Sequence, residues 1–209
     1  MDAKLQRRIQ RDGWDKAAAS YESSWERQLA PAHRALLDEA DLRPGERVVD
    51  IACGTGLVTF AAADAVARWG MVFGTDLSDQ MVDQGRAGPR SRCGWAEIFP
   101  IVDVRVTSEV CPLFFSLGTD DRVASVFRRA GLASVTIERV ETRLEWASAD
   151  DACGTAFVGG PVALAHSRFD EATRVAAYGE YLSSIERWRH GERYLVPGEF
   201  VIVSGRKVE

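Results

Sequence analysis

Val48-Val49-Asp50-Ile51-Ala52-Cys53-Gly54-Thr55-Gly56 decides how this chain folds. Its first half, taken from Arg47 to Ala52, is a short β-branched apolar run behind the Pro44-Gly45 turn signal. That is the pattern of a strand buried on both faces, as parallel sheets require. The second half swaps bulk for glycine, so the backbone turns sharply and a ligand can approach it. A helix follows from Leu57 to about Arg68, and its first N–H groups point at whatever occupies the turn. A second apolar run, Met71 to Thr75, ends in Asp76, and Ser78 is placed to cap a helix through Arg86. Strand, glycine turn, helix, strand and acidic residue make a βαβ unit.

Upstream, Gln6 to Ser23 has the period of a helix, with Trp14, Ala18 and Tyr21 on one stripe and Trp25 just beyond it. Pro31 to Ala40 predicts a second helix, with Pro31 in its first turn and Leu36, Leu37 and Ala40 as its apolar stripe. Downstream, Ala87 to Gly94 has the composition of a loop, and Trp95 to Val110 that of a helix despite Pro100. A cleaner helix spans Asp120 to Ala130, capped by Thr119 or Asp120 and ended by Gly131. Ser134 to Trp146 alternates as a strand, with a phase slip near Glu138 that predicts a bulge. Ser148 caps a short helix ending at Gly159-Gly160, and Phe169 to Arg189 is amphipathic through Val175, Tyr178, Leu182 and Ile185. A last strand covers Glu199 to Ser204. No internal repeat interrupts this order, so one domain is expected over residues 1–209, divided into cap helices (1–42), the βαβ unit (46–86) and a C-terminal part (95–209).

Composition narrows the function. The net charge is −5, and Arg7-Arg8 and Arg128-Arg129 sit within mixed-charge helical stretches, so no basic stripe offers itself to phosphates and nucleic acid is not an expected partner. The longest weakly polar run, Leu57 to Ala67, is interrupted by Asp64 and is too short to span a bilayer, so no membrane partner is expected. Met1 to Asp15 is too charged for a signal peptide. Cys53, Cys93, Cys111 and Cys153 form no Cys-x-x-Cys pair and only three histidines are present, so no metal site is expected. Four reduced cysteines in a cytoplasmic protein is the expectation.

The glycine turn and the acidic residues specify a ligand class. A dinucleotide site uses G-x-G-x-x-G to hold a pyrophosphate. Gly54 and Gly56 supply its first two positions, but the third falls on Thr59, and Asp50 would repel a pyrophosphate. A carboxylate there suits a cationic amino group better. Asp76, 26 residues after Asp50, stands where a carboxylate accepts two ribose hydroxyls. Asp76 alone would serve as a helix cap, and the glycines alone would serve a tight turn. Together in a βαβ unit they point to a nucleoside.

This motif, followed by Gly74-Thr75-Asp76-Leu77-Ser78-Asp79-Gln80-Met81, resembles class I methyltransferases of the UbiE-like, type 11 kind, which use S-adenosylmethionine (SAM). The resemblance implies a Rossmann-like α/β sheet and a cofactor site formed by Asp50, Ala52, Cys53, Gly54, Thr55, Gly56, Asp76, Leu77, Ser78 and Met81. Asp50 and the turn would hold the methionine portion, Asp76 the ribose, and Leu77 and Met81 the adenine. Ala52 replaces a glycine common in the family. Trp14, Tyr21 and Trp25 resemble the family's cap helix over cofactor and substrate, although aromatics on such a helix more often serve a plain core.

The chain departs from that family after Arg86. The segment beginning Trp95-Ala96-Glu97-Ile98-Phe99 resembles what normally follows the fifth strand, so strands three to five are expected to be missing. A βαβ unit takes roughly 30 residues, which makes the loss about two units. It would leave Val48 to Ile51 with an open edge and bare apolar faces. Rearranged strands, a second chain completing the sheet as a homodimer, or marginal stability would follow.

Three functions are then in competition. The first is a SAM-dependent methyltransferase for a small-molecule acceptor, without a named catalytic residue, since His33, His166 and Glu180 qualify by residue type alone. The second is a non-catalytic remnant acting through self-association. The third is an NAD-dependent oxidoreductase, which the missing third glycine disfavours. Trp95, Phe99, Phe114 and Phe115 would suit an apolar acceptor pocket but fit a core better.

Overall fold

The computed structural model describes residues 3–87, 105, 120–160 and 162–208. Its first element is α1, Ala3–Ala40, a single helix of 38 residues with Pro31 inside it. The two separate helices expected from the sequence, with Pro31 opening the second and Trp25 outside the first, are therefore one. A mid-helix proline forfeits a hydrogen bond and costs about 3 kcal/mol. Packing on both sides of it carries the helix through, because Trp25, Gln28 and Ala32 are all buried.

The βαβ unit forms as the sequence predicts. β1 (Arg47–Ile51) leads into α2 (Leu57–Val66), a short 3-10 turn covers Ala67–Trp69, and β2 (Met71–Thr75) leads into α3 (Asp79–Ala87). β1 and β2 pair in parallel, with Val49 opposite Phe73 and Ile51 opposite Thr75. α2 lies against both strands and buries Ala62 and Val66. The strands alternate in burial, and among the described residues their other face is bare: Val49 is 63%, Ile51 79%, Met71 56% and Phe73 62% exposed. Among the described residues this parallel sheet has two strands, the shortened Rossmann-like α/β arrangement that the resemblance implied. The segments expected as a loop (87–94) and a helix (95–110) lie outside the described residues except for Ala87, which closes α3, and Arg105.

The second sheet is antiparallel, ordered β3-β5-β4. It follows α4 (Arg122–Arg129) and consists of β3 (Leu132–Trp146), β4 (Arg189–His190) and β5 (Arg193–Lys207). Between β3 and β4 come α5 (Ala149–Phe157), α6 (Ala163–His166) and α7 (Glu171–Ile185). Ser148 caps α5 as expected, accepting from the Asp151 N–H at 3.1 Å. Leu144, Trp146, Phe157, Phe169, Tyr181, Ile185 and Tyr194 form the main core where these helices meet the sheet.

Several boundaries differ from the sequence reading. α4 starts at Arg122, Asp121 is its N-cap without a side-chain capping bond, its carboxylate pairing with Arg128 instead, and Asp120 lies outside at φ +50°; Thr119 is not among the described residues. The bulge in β3 falls between Ala133 and Thr136, where Ser134 has φ +50°, while pairing runs unbroken past Glu138. The phase slip at Glu138 has another cause: Phe127 of α4 lies with Val135 over Gly205, whereas Leu144 and Trp146 enter the core beside α5 and α7. The strand is thus covered on opposite faces at its two ends. In α7 the buried stripe is Ala177, Tyr181 and Ile185, and Val175 is exposed. β5 reaches well beyond the expected Glu199 to Ser204 because it pairs along all of β3. No described helix is long and apolar enough to cross a membrane.

Candidate functional site

The site is built on the turn between β1 and α2. Ala52 (φ +62°), Gly54 (φ +55°) and Gly56 (φ +89°) are left-handed in alternation, and the Gly56 N–H closes the turn on the Cys53 carbonyl at 2.9 Å. Pairing with β2 extends one residue past β1 through the Cys53 N–H and the Thr75 carbonyl, 3.0 Å apart. The turn is thereby held at the carboxyl end of both strands, where parallel sheets bind ligands.

Two carboxylates converge on it. Asp50 Oδ2 accepts from Thr59 Oγ1 at 2.6 Å, so the residue in the third-glycine position fixes the acid at the end of β1. Asp76 accepts from the Gly54 N–H at 2.9 Å through Oδ2 and from the Ser78 N–H at 2.8 Å through Oδ1. Each oxygen keeps a second lone pair. Cys53 lies half-buried between them, and burial, then Asp50 and Asp76, push its thiol above its usual value, so it stays protonated. Gly74 is closely packed: a Cβ would meet Cys53 Sγ at 3.1 Å and Thr59 Oγ1 at 3.2 Å, so these side chains would have to give by a few tenths of an ångström.

The remaining cofactor residues of the sequence reading have mixed surroundings. Thr55 is fully buried, and its Oγ1 has no hydrogen-bond partner among the described residues. Leu77 is exposed, Ser78 is buried, and Met81 is buried with Ala17, Ala18 and Ala163 under α1. Ser78 is also a hub: its Oγ accepts from the Met81 N–H at 3.1 Å and donates to Asp15 Oδ1 at 2.5 Å.

α1 crosses directly above. A Cβ on Gly54 would stand 3.9 Å from Tyr21 Cε1, and Trp14 meets the Tyr21 ring edge-on at 5.8 Å. Both rings are half-buried. Trp25, tilted against Tyr21 at 6.3 Å, is instead interior, 1% exposed, and donates to the Gly159 carbonyl. His166 lies apart, in the main core, with Tyr178 Oη 3.2 Å from its Nε2. Among the described residues, no group of His, Cys, Asp and Glu side chains is placed to hold a metal.

Sequence reasoning missed Thr59, Gly74 and Asp15. Thr59 carried a signal, a hydroxyl where the dinucleotide pattern wants glycine. Asp15 carried none, because its partner is 63 residues away.

Comparison with known proteins matches part of the chain. The model of the ubiE/COQ5 methyltransferase family matches residues 32–101. A demethylmenaquinone methyltransferase of Symbiobacterium thermophilum is 36% identical over 84 residues, which are 36% of this chain and 32% of that protein. Nocamycin O-methyltransferase of Saccharothrix syringae is 39% identical over 69 residues, 33% of this chain and 25% of its own length. Aklanonic acid methyltransferase DauC of Streptomyces sp. strain C5 is 34% identical over 73 residues, 35% of this chain and 33% of its own. The chain thus spans a quarter to a third of the relatives it matches. β1, α2, β2 and α3 all lie inside the stretch that is similar to the ubiE/COQ5 methyltransferase family.

Proposed function

We propose that the protein binds S-adenosylmethionine at the β1–α2 turn and transfers its methyl group to a small-molecule acceptor. The convergence of Asp50 and Asp76 on the Gly54 turn carries this reading. The residues fit the cofactor. Asp50, oriented by Thr59, would hold the cationic amino group, and the spare lone pairs of Asp76 would accept the ribose hydroxyls. The open N–H groups at the start of α2 offer hydrogen bonds to the polar end of the methionine portion. When bound, the cofactor supplies an electrophilic methyl group on a sulfonium. The chain's part is to bind, orient and exclude water, since in-line transfer draws chiefly on positioning. Tyr21 beside Gly54, and Trp14 against its ring, would flank an acceptor, with the interior Trp25 behind Tyr21.

A second reading is favoured by one observation, the two-stranded parallel sheet with a bare face: a remnant that binds the cofactor weakly or not at all. Calorimetric titration with S-adenosylhomocysteine separates the two. Micromolar binding that weakens at least tenfold in Asp76→Ala, together with methyl transfer above a Gly54→Val control, supports the methyltransferase. A folded protein that releases no binding heat leaves only the remnant.

A further inference from the structure

We propose that the bare face of the β1–β2 ribbon is the interface of a homodimer, in which the ribbons of two copies stack face to face. The proposal does not rest on the reading of the glycine turn, although Leu77 takes part in both.

Parallel strands are normally covered on both faces, and a two-stranded ribbon is not stable alone. Here α2 covers one face. On the other, Val49 and Phe73 pair across the ribbon, with Met71 and Ile51 at opposite corners, all more than half exposed. Four such side chains present on the order of 400 Å² of apolar surface, a size that on a monomer is often functional. Trp69, just before β2, is 82% exposed, and Leu77, just after it, is 46% exposed. Including both brings the patch toward the ~800 Å² that each partner gives a standard interface. Two such faces match the ~10 Å spacing of stacked sheets.

Charge selects a second copy and sets its direction. Arg47 is the first outward residue of β1, while the exposed Asp79 stands beyond the other end of the ribbon. A two-fold axis crossing the strands lays Val49 on its counterpart and brings Arg47 of each copy toward the acidic end of the other. The interface is isologous and therefore closes. An anionic lipid surface would need a basic rim, and this rim carries both signs.

Sedimentation velocity on the full chain, from about 1 to 100 μM, tests this. The expected result is a dimer that Ile51→Arg and Phe73→Asp each convert to monomer while circular dichroism is unchanged. Should either variant unfold, Val49→Thr and Ile51→Thr keep strand propensity and should raise the dissociation constant at least tenfold. Arg47→Glu should weaken the dimer, and adding Asp79→Arg should restore it. A wild-type protein that stays monomeric over the whole range overturns the proposal. So does a dimer indifferent to all of these changes, or open-ended association without a discrete dimer.

Discussion

Gln28 stands in for a neighbouring strand at Glu145. Its carboxamide Nε2 donates to the Glu145 carbonyl at 2.6 Å, and its Oε1 accepts from the Glu145 N–H at 2.9 Å. Glu145 lies on the outer edge of β3, and its own carboxylate pairs with Arg27 and Arg193. One residue of α1 thus closes a stretch of open sheet edge and fixes the helix against the second sheet. Gln28→Ala would leave a partly buried N–H and C=O without partners, a loss of about 2–3 kcal/mol. Gln28→Glu accepts but cannot donate, so it should be at least as damaging. Urea unfolding of both variants checks this, and a midpoint unchanged in Gln28→Ala would show that water replaces the carboxamide at no cost.

Ala52 is the strained residue of the glycine turn. It is exposed and left-handed at φ +62°, a conformation that costs an L-residue roughly 1–2 kcal/mol. Glycine removes that strain but adds freedom to the unfolded chain, which returns about 0.4–1 kcal/mol of the gain. Ala52→Gly should therefore stabilise by ~0.5–1 kcal/mol, a rise in Tm of about 2 °C for a domain of this size. A thermal melt reads it directly, and a lowered Tm would mean the turn is not left-handed in solution.

How much could be read from the sequence follows the range of the interactions involved. β1, the glycine turn, α2, β2 and the Ser78 cap are set by neighbouring residues, and they form where the pattern put them. α1 broke the local rule at Pro31 because its packing partners are distant: Trp25 bonds to Gly159, and Gln28 to Glu145. The length of β5 was hidden for a similar reason, since Tyr194 to Gly198 gains its strand character by pairing with Thr142 to Trp146 rather than from its own composition. At the site, Asp50 and Asp76 were legible from spacing. The side chains that hold neighbouring parts in place, Thr59 and Asp15, depend on the folded turn and on the course of α1 above it.

Asp15 and Ser78 form one such hidden link. Ser78 caps α3 through the Met81 N–H, and Asp15 from α1 accepts from Ser78 and from the Gln80 N–H at 3.3 Å. A carboxylate is well suited to a helix N-terminus. Ser78→Ala removes a cap and should cost about 1 kcal/mol. Asp15→Ala leaves the cap but loses the bridge to α1. The two share a hydrogen bond, so the double variant should fall short of the sum by ~0.5 kcal/mol or more. A double-mutant cycle by urea unfolding measures this, and strict additivity would mean that α1 and α3 are not coupled here.

His166 makes stability depend on pH in a defined direction. Its ring is stacked on Tyr178 and packed against Phe157 and Phe169, and burial, then the Arg174 charge, hold its pKa below the ordinary histidine value. Above a pH of about 6.5 the imidazole is neutral in both folded and unfolded chains, and the folded state keeps its full stability. As pH falls below that, the unfolded chain takes up the proton first, so stability declines until the folded histidine is protonated too. Asp170, held low by hydrogen bonds from Thr173, acts only at more acidic pH. The urea midpoint should therefore drop between about pH 7.5 and 5.5. In His166→Phe, which keeps an aromatic ring in place, that drop should shrink, since His33 and His190 are common to both proteins. An equal drop in wild type and variant would assign the pH dependence to another group.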